Sequence, residues 1–304
     1  MINFFRAILR FFLKIPVIIS LIFLTILLAF LAFVFLFNDS SSAPKTNVNF
    51  DLPEINFAVV DDIRSGKFVI IKQDYPENEI DIEEFSVSDT GIINYSGESY
   101  LGIDISTYQE DIDWEKIKNA GVDFVILRIG YRGAVVPNIL LDGMFLEHIN
   151  SAIEYDIDIG VYFFSQAINA EEGIEEAEFV IEQLEPYKDS ITYPVVFDWE
   201  WVYFEDNRTD AVSGQETSNA ALGFCETIEN AGYIPMVYVN KSMGYDHYDL
   251  ETINDYPLWL AEYEDAPSFF YEFDMWQYSE SGTIDGIDGN VDLNISFTDF
   301  GTSP

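Results

Sequence analysis

From Tyr100 onward, short apolar runs alternate with stretches of helical periodicity. Residues 100–104, 124–128, 160–164, 193–197, 234–238, 258–261, 273–277 and 290–293 are the apolar runs. Their length and their polar boundaries predict strands rather than buried helices. Between them, Asn119-Ala120-Gly121 and Asn230-Ala231-Gly232 each place a glycine where a helix should stop. Asn169 followed by Glu172 predicts a capped helix start, with Ile174, Ala177, Ile181 and Leu184 forming one apolar face. Strands that alternate with helices in this way predict an α/β chain closing into a TIM-like barrel. The later strands follow one another closely, so the last helices should be short or absent.

The chain before residue 99 follows a different pattern. Arg6, Arg10 and Lys14 precede an uncharged run over 15–37 rich in Leu, Ile and Phe. A bilayer span needs roughly 20 such residues, and a cleavable signal has a shorter apolar core. The pattern predicts a basic cytoplasmic N-terminus at 1–14 and one transmembrane helix, an uncleaved signal anchor, at 15–37. The positive-inside rule then puts the rest of the chain outside the cell membrane, with the bilayer as a partner. Residues 38–98 read as a polar linker and a small β-rich segment, with β-like runs at 57–60, 67–72 and 91–95. The barrel is expected over 99–298, followed by a short tail at 299–304.

Charge narrows the partners. The chain has 54 acidic and 14 basic residues and a formal net charge of −40. Arg6, Arg10 and Lys14 lie before the apolar run, so the expected extracytoplasmic part is more acidic still. Nucleic acid is excluded as a partner on that ground. A single cysteine, Cys225, allows no internal disulfide, and its neighbours Ala221, Phe224 and Ile228 mark it as a buried helical thiol. His148 and His247 stand alone, without zinc-ligand spacing. The acidic, glycine-bearing stretch 285–292 does not follow an EF-hand order, so neither a metal nor another cofactor is expected.

The chemistry resides in carboxylates at strand ends. Asp198 and Glu200 lie two apart where the run Tyr193-Pro194-Val195-Val196-Phe197 ends. At strand spacing they share a face with Val196, while Phe197 and Trp199 point the other way. Asp104 closes the first barrel strand and Asp292 lies in the last. A closed barrel makes those two strands neighbours and gathers strand-end residues at one mouth. Crowded, buried acids raise one another's pKa, as glycosidases require.

These residues occur in recognisable settings: Gly102-Ile103-Asp104-Ile105-Ser106-Thr107-Tyr108-Gln109, Ile112-Asp113-Trp114, Gly160-Val161-Tyr162-Phe163-Phe164-Ser165, Phe197-Asp198-Trp199-Glu200, Leu258-Trp259-Leu260-Ala261, Trp276-Gln277-Tyr278 and Val291-Asp292-Leu293-Asn294. Together they make residues 99–297 resemble glycoside hydrolase family 25, the Chalaropsis-type lysozymes. The resemblance implies a (β/α)5(β)3 barrel and hydrolysis of β-1,4 bonds between N-acetylmuramic acid and N-acetylglucosamine in peptidoglycan glycan strands. It makes Glu200 the general acid, Asp198 its stabilising neighbour, and Asp104 and Asp292 supporting acids. An Asp-x-Glu pair suits assistance by the substrate's own acetamido group, while retention and inversion both stay open. Tyr108, Tyr162, Tyr238, Trp259, Trp276 and Gln277 lie near strand ends and are candidate sugar contacts. Arg128 ends the second strand and is a candidate for substrate binding or for an ion pair with an acid. The alternative to a muramidase is a catalytically silent wall-glycan-binding or scaffold protein, which would have no need of the full acid set.

Overall fold

The computed structural model describes residues 57–60, 67–70, 75–203 and 205–301. The expected cytoplasmic segment 1–14, the transmembrane segment 15–37 and the linker that follows lie outside the described residues. Among those described, no helix is long and apolar enough to cross a membrane.

Two small hairpins precede the barrel. Strands β1 (Phe57–Val60) and β2 (Lys67–Ile70) pair antiparallel. Strands β3 (Phe85–Val87) and β4 (Ile93–Tyr95) do the same. The barrel follows, with β5 (Tyr100–Ile105), β6 (Phe124–Arg132), an edge strand β7 (Ile139–Leu141), β8 (Asp158–Ser165) and β9 (Ile191–Trp199). It continues with β10 (Pro235–Asn240), β11 (Leu258–Ala261), β12 (Met275–Gly282) and β13 (Val291–Ser296). Each predicted barrel strand is present. Neighbours from β5 through β6, β8, β9, β10 and β11 to β12 are parallel, whereas β13 runs antiparallel to both β12 and β5 and closes the ring.

Helices α1 (Trp114–Asn119), α2 (Phe145–Glu154), α3 (Ala170–Leu184) and α4 (Gly214–Asn230) pack outside the first part of the ring. Gly121 and Gly232 both take a φ of +86°, the left-handed conformation that lets the chain leave a helix and enter a strand. Asn169 caps α3 by accepting from the Glu172 N–H at 2.9 Å. The Glu172 carboxylate reaches past the cap to the Ile168 N–H instead of closing a box. Ile174 is exposed, because the buried face of α3 is rotated to Gly173, Ala177, Val180 and Leu184. After β10 only a π-helical turn, Met243–His247, intervenes before β11, and no described helix separates β11, β12 and β13.

Alternation along the strands sorts the apolar residues into two layers. Phe124, Ile126, Val196, Met236, Tyr238, Trp259 and Met275 fill the interior, joined by Tyr193 from the irregularly paired start of β9. Residues of the opposite parity, such as Val125, Leu127, Phe197 and Trp199, join the layer beneath the helices. The wall without helices buries its outer face in another way. Phe85 of β3 meets Trp276 of β12 at a ring separation of 5.4 Å, and Tyr95 of β4 meets Phe297 at 5.4 Å. Just before β3, a bridge pairs Glu77 with Tyr271. Residues 75–98 therefore form a strap on the barrel, giving that apolar wall a cover where helices are absent.

Candidate active site

The carboxylates gather as strand alternation requires. Asp104 is the next-to-last residue of β5, Asp198 the next-to-last of β9, and Glu200 lies just beyond β9. Asp292 is the second residue of β13, but that strand is antiparallel, so its beginning lies where the parallel strands end. Asp292 is directly in register with Asp104. All four acids line one cleft of about 400 Å³.

Crowding without solvent sets their protonation. Burial first, then the charges of Asp292 and Glu280, push Glu200 up to about 7. Burial and the adjacent Asp104 push Asp292 up to about 8. Asp198 is raised well above the carboxylate range by burial and by Glu200 and Asp104, with Arg128 acting in opposition. Burial also raises Asp104, although hydrogen bonds from Asn294, Gln277 and Asp292 favour its charged form. The cluster therefore keeps protons at neutral pH, and Glu200 can hold one of them in the cleft.

Fixed hydrogen bonds shape the cluster. Asp104 Oδ2 accepts from Gln277 Nε2 at 2.9 Å and from Asn294 Nδ2 at 2.8 Å. Gln277 Oε1 in turn accepts from Tyr238 at 3.0 Å and Tyr263 at 3.1 Å, while Trp259 Nε1 donates to Asn294 Oδ1 at 2.9 Å. Asp198 differs from this saturated set: its Oδ1 is buried and accepts no hydrogen bond among the described residues. The Glu200 carbonyl accepts from buried Gln166 Nε2 at 2.9 Å, and Arg208 Nη1 donates to the Gln166 carbonyl at 2.6 Å. Arg208 also pairs with Glu172, which ties the Glu200 backbone to the start of α3.

Tyr108, Arg128, Tyr162, Tyr238, Trp259 and Gln277 all line the cleft, with Tyr108 81% exposed on its rim. Trp276 does not. It faces outward under the strap and donates its Nε1 hydrogen to the Glu262 carbonyl at 2.7 Å, because its parity on β12 is opposite to that of Gln277. Arg128 Nε donates to Asp142 Oδ2 at 2.7 Å, so its ion-pair partner is none of the four cleft acids. Tyr263 and Glu280 also line the cleft and were not legible beforehand. Register shifts in β12 after Gln277 break the alternation that could have pointed to Glu280, and Tyr263 lies in a loop with no periodic signal.

A barrel mouth carrying an acid poised near neutrality among buried carboxylates and aromatic rings is the site of a glycoside hydrolase. The family model described as Glycosyl hydrolases family 25 matches residues 103–287, and the chain belongs to that family. Over 194 residues it is 26% identical to the autolytic lysozyme of Clostridium acetobutylicum, covering 64% of this chain and 54% of that protein. It is likewise 26% identical over 209 residues to lysozyme M1 of Streptomyces globisporus, covering 64% and 66%. Among solved structures, the modular autolysin LytC of Streptococcus pneumoniae, determined with a synthetic peptidoglycan ligand, shares the fold. Its TM-score is 0.60 at 24% identity, over 79% of this chain and 52% of that one. A family 25 hydrolase from Bacillus anthracis gives a TM-score of 0.55 at 20% identity, over 71% and 93%.

Proposed function

We propose that this protein is a muramidase that cleaves the β-1,4 bond between N-acetylmuramic acid and N-acetylglucosamine in peptidoglycan. The observation that carries this reading is the convergence of Asp104, Asp198, Glu200 and Asp292 on one cleft with Glu200 raised to about 7. A lysozyme name on two relatives supports the choice of substrate.

Glu200 acts as general acid, donating its proton to the leaving glycosidic oxygen as the bond breaks. Positive charge then grows at the anomeric carbon beside Asp198, which answers it in its ionised form, the form that Arg128 favours against burial and the neighbouring acids. Its open Oδ1 suits the N–H of the sugar's 2-acetamido group. Held there, the acetamido oxygen attacks the anomeric carbon, and water later opens the cyclic intermediate with Glu200 as base. Asp104 and Asp292, sharing protons beside the pair, keep the negative potential of the mouth. Tyr108, Tyr162, Tyr238 and Trp259 offer ring faces to the pyranose C–H groups, and Gln277 holds Asp104 in place. Digestion of purified peptidoglycan tests the reading: new reducing ends must appear with time, and intact strands would refute it.

The anchor belongs to the same proposal. Residues 15–37 hold the enzyme in the cell membrane as a single pass with the barrel outside, since so acidic a chain gains nothing from an anionic surface. The full-length protein should fractionate with membranes through a high-salt wash, whereas recovery in the culture medium trimmed near 40–43 would mean a cleaved signal.

A further inference from the structure

Beside the cleft lies a second hollow of about 710 Å³, lined in part by Tyr131, Leu141, Gly143 and Val202. It shares Tyr108, Arg128 and Phe164 with the catalytic cleft, so the two adjoin across those side chains. Arg128 stands at the junction and is the sole cation among the residues lining either part. Its guanidinium carbon lies 5.3 Å from the centre of the Tyr108 ring and 5.7 Å from that of Tyr131, so two aromatic rings flank the cation.

Arg128 is not consumed by its ion pair. Asp142 is already satisfied from the backbone: the Thr107 N–H donates to its Oδ2 at 3.2 Å and the Met144 N–H to its Oδ1 at 2.9 Å. Arg128 adds only its Nε–H to that carboxylate. Among the described residues, neither of its terminal amino groups carries a hydrogen bond, and both belong to the edge of the fork that suits a planar carboxylate. Keeping one such cation beside four cleft acids, in a chain of net charge −40, makes chemical sense if the substrate brings a carboxylate of its own.

We infer that the second hollow receives the carboxylate-bearing branch at O3 of the muramoyl sugar, with Arg128 binding that carboxylate. This rests on the peptidoglycan reading. N-acetylmuramic acid differs from N-acetylglucosamine by a 3-O-lactyl ether, and the lactyl carboxyl is either free or joined to a peptide that carries carboxylates. The branch is borne on the carbon next to the one that carries the acetamido group, so a sugar whose acetamido reaches Asp198 has its O3 substituent close by, and the adjoining hollow provides Leu141, Phe164 and Val202 for its apolar atoms.

The experiment measures kcat/KM on two matched pairs of glycan strands. One pair lacks peptide and carries the lactyl carboxylate either free or as its methylamide. The other keeps its peptides, with carboxylates free or methylamidated. The wild-type protein should favour the charged member of at least one pair by about 10-fold to 100-fold, the range for a hydrogen bond to a charged group. The pair that shows the preference identifies its source. In Arg128→Gln the ratio should fall to near one, while Arg128→Lys, which keeps charge without the fork, should retain part of it. Thermal melts check that each variant is folded, and the wild-type ratios need no variant at all. Wild-type ratios near one in both pairs, or an unchanged ratio in folded Arg128→Gln, would overturn the inference. Failure of the wild-type protein to cut any strand would instead remove the muramidase reading beneath it.

Discussion

The floor and the mouth of the barrel are built by the same strands and the same alternation, yet they are opposite materials. At the floor, Phe124 and Tyr193 stack 4.4 Å apart at an interplanar angle of 13°, and Phe300 meets Tyr193 edge-on at 5.6 Å. Met236 and Ile126 complete a fully buried apolar plug. Two residues further along β9 from the interior Val196 comes Asp198, and the interior turns to carboxylates. The floor stabilises by excluding water and filling space. Proximity and burial at the mouth hold acids in protonation states that water would not allow. Stability is concentrated at one end so that the other can remain electrostatically strained.

The sharpest way to break the contrast is Glu200→Gln. Losing the general acid should lower turnover of peptidoglycan by about 100-fold to 10,000-fold. Melting temperature should hold or rise, because a like-charged group leaves the cluster. Steady-state rates and a thermal melt on the same sample check both halves, and wild-type turnover would end the assignment of Glu200.

Phe124→Ala attacks the other end. Truncating a fully buried aromatic plug should destabilise the fold by about 3–5 kcal/mol, read from urea unfolding. Protein that stays folded should keep most of its activity, since no acid of the mouth touches that ring. A loss of less than about 1 kcal/mol would mean that the floor is not the stabilising end.

A smaller effect tests the mouth's strain through pH. Glu200 rises from 4.5 to about 7 on folding and Asp292 from 3.8 to about 8, so the folded state binds protons that the unfolded chain has released. Their stabilising contribution is complete below pH about 4 and is lost as pH rises toward about 8. Asp292→Asn should therefore raise stability at pH 8 by about 1 kcal/mol, a figure discounted for the solvent that reaches the cleft, and have little effect at pH 5. Chemical denaturation at the two pH values decides it, and equal changes would contradict the strain.

Alternation and turn residues made much of this legible from the sequence. They located the barrel strands, the helix stops at Gly121 and Gly232, and the strand-end acids, because each depends on local periodicity. What escaped depends on tertiary packing. Ile174 sat on the expected apolar face of α3, but the face that is buried includes Gly173, which lies against the Ala220 backbone of α4. Trp276 looked like a sugar contact from its position near a strand end, yet parity sends it under the strap. The strap itself exists because β11 to β13 lack helices, and the run Phe85-Ser86-Val87 is too short to announce its partner. Register shifts in β12 bring Glu280 to the cleft, and no single-chain pattern encodes a bulge of that kind.

The central claim is that these carboxylates hydrolyse the bond on the muramoyl side of the glycan repeat. The most direct measurement digests purified peptidoglycan with the wild-type protein, reduces the products with borohydride and identifies the reduced sugar by mass spectrometry. The account predicts reduced N-acetylmuramic acid as the new end, absent from a matched Glu200→Gln digest. Reduced N-acetylglucosamine in its place, or peptide cleavage with the glycan strands intact, would contradict it.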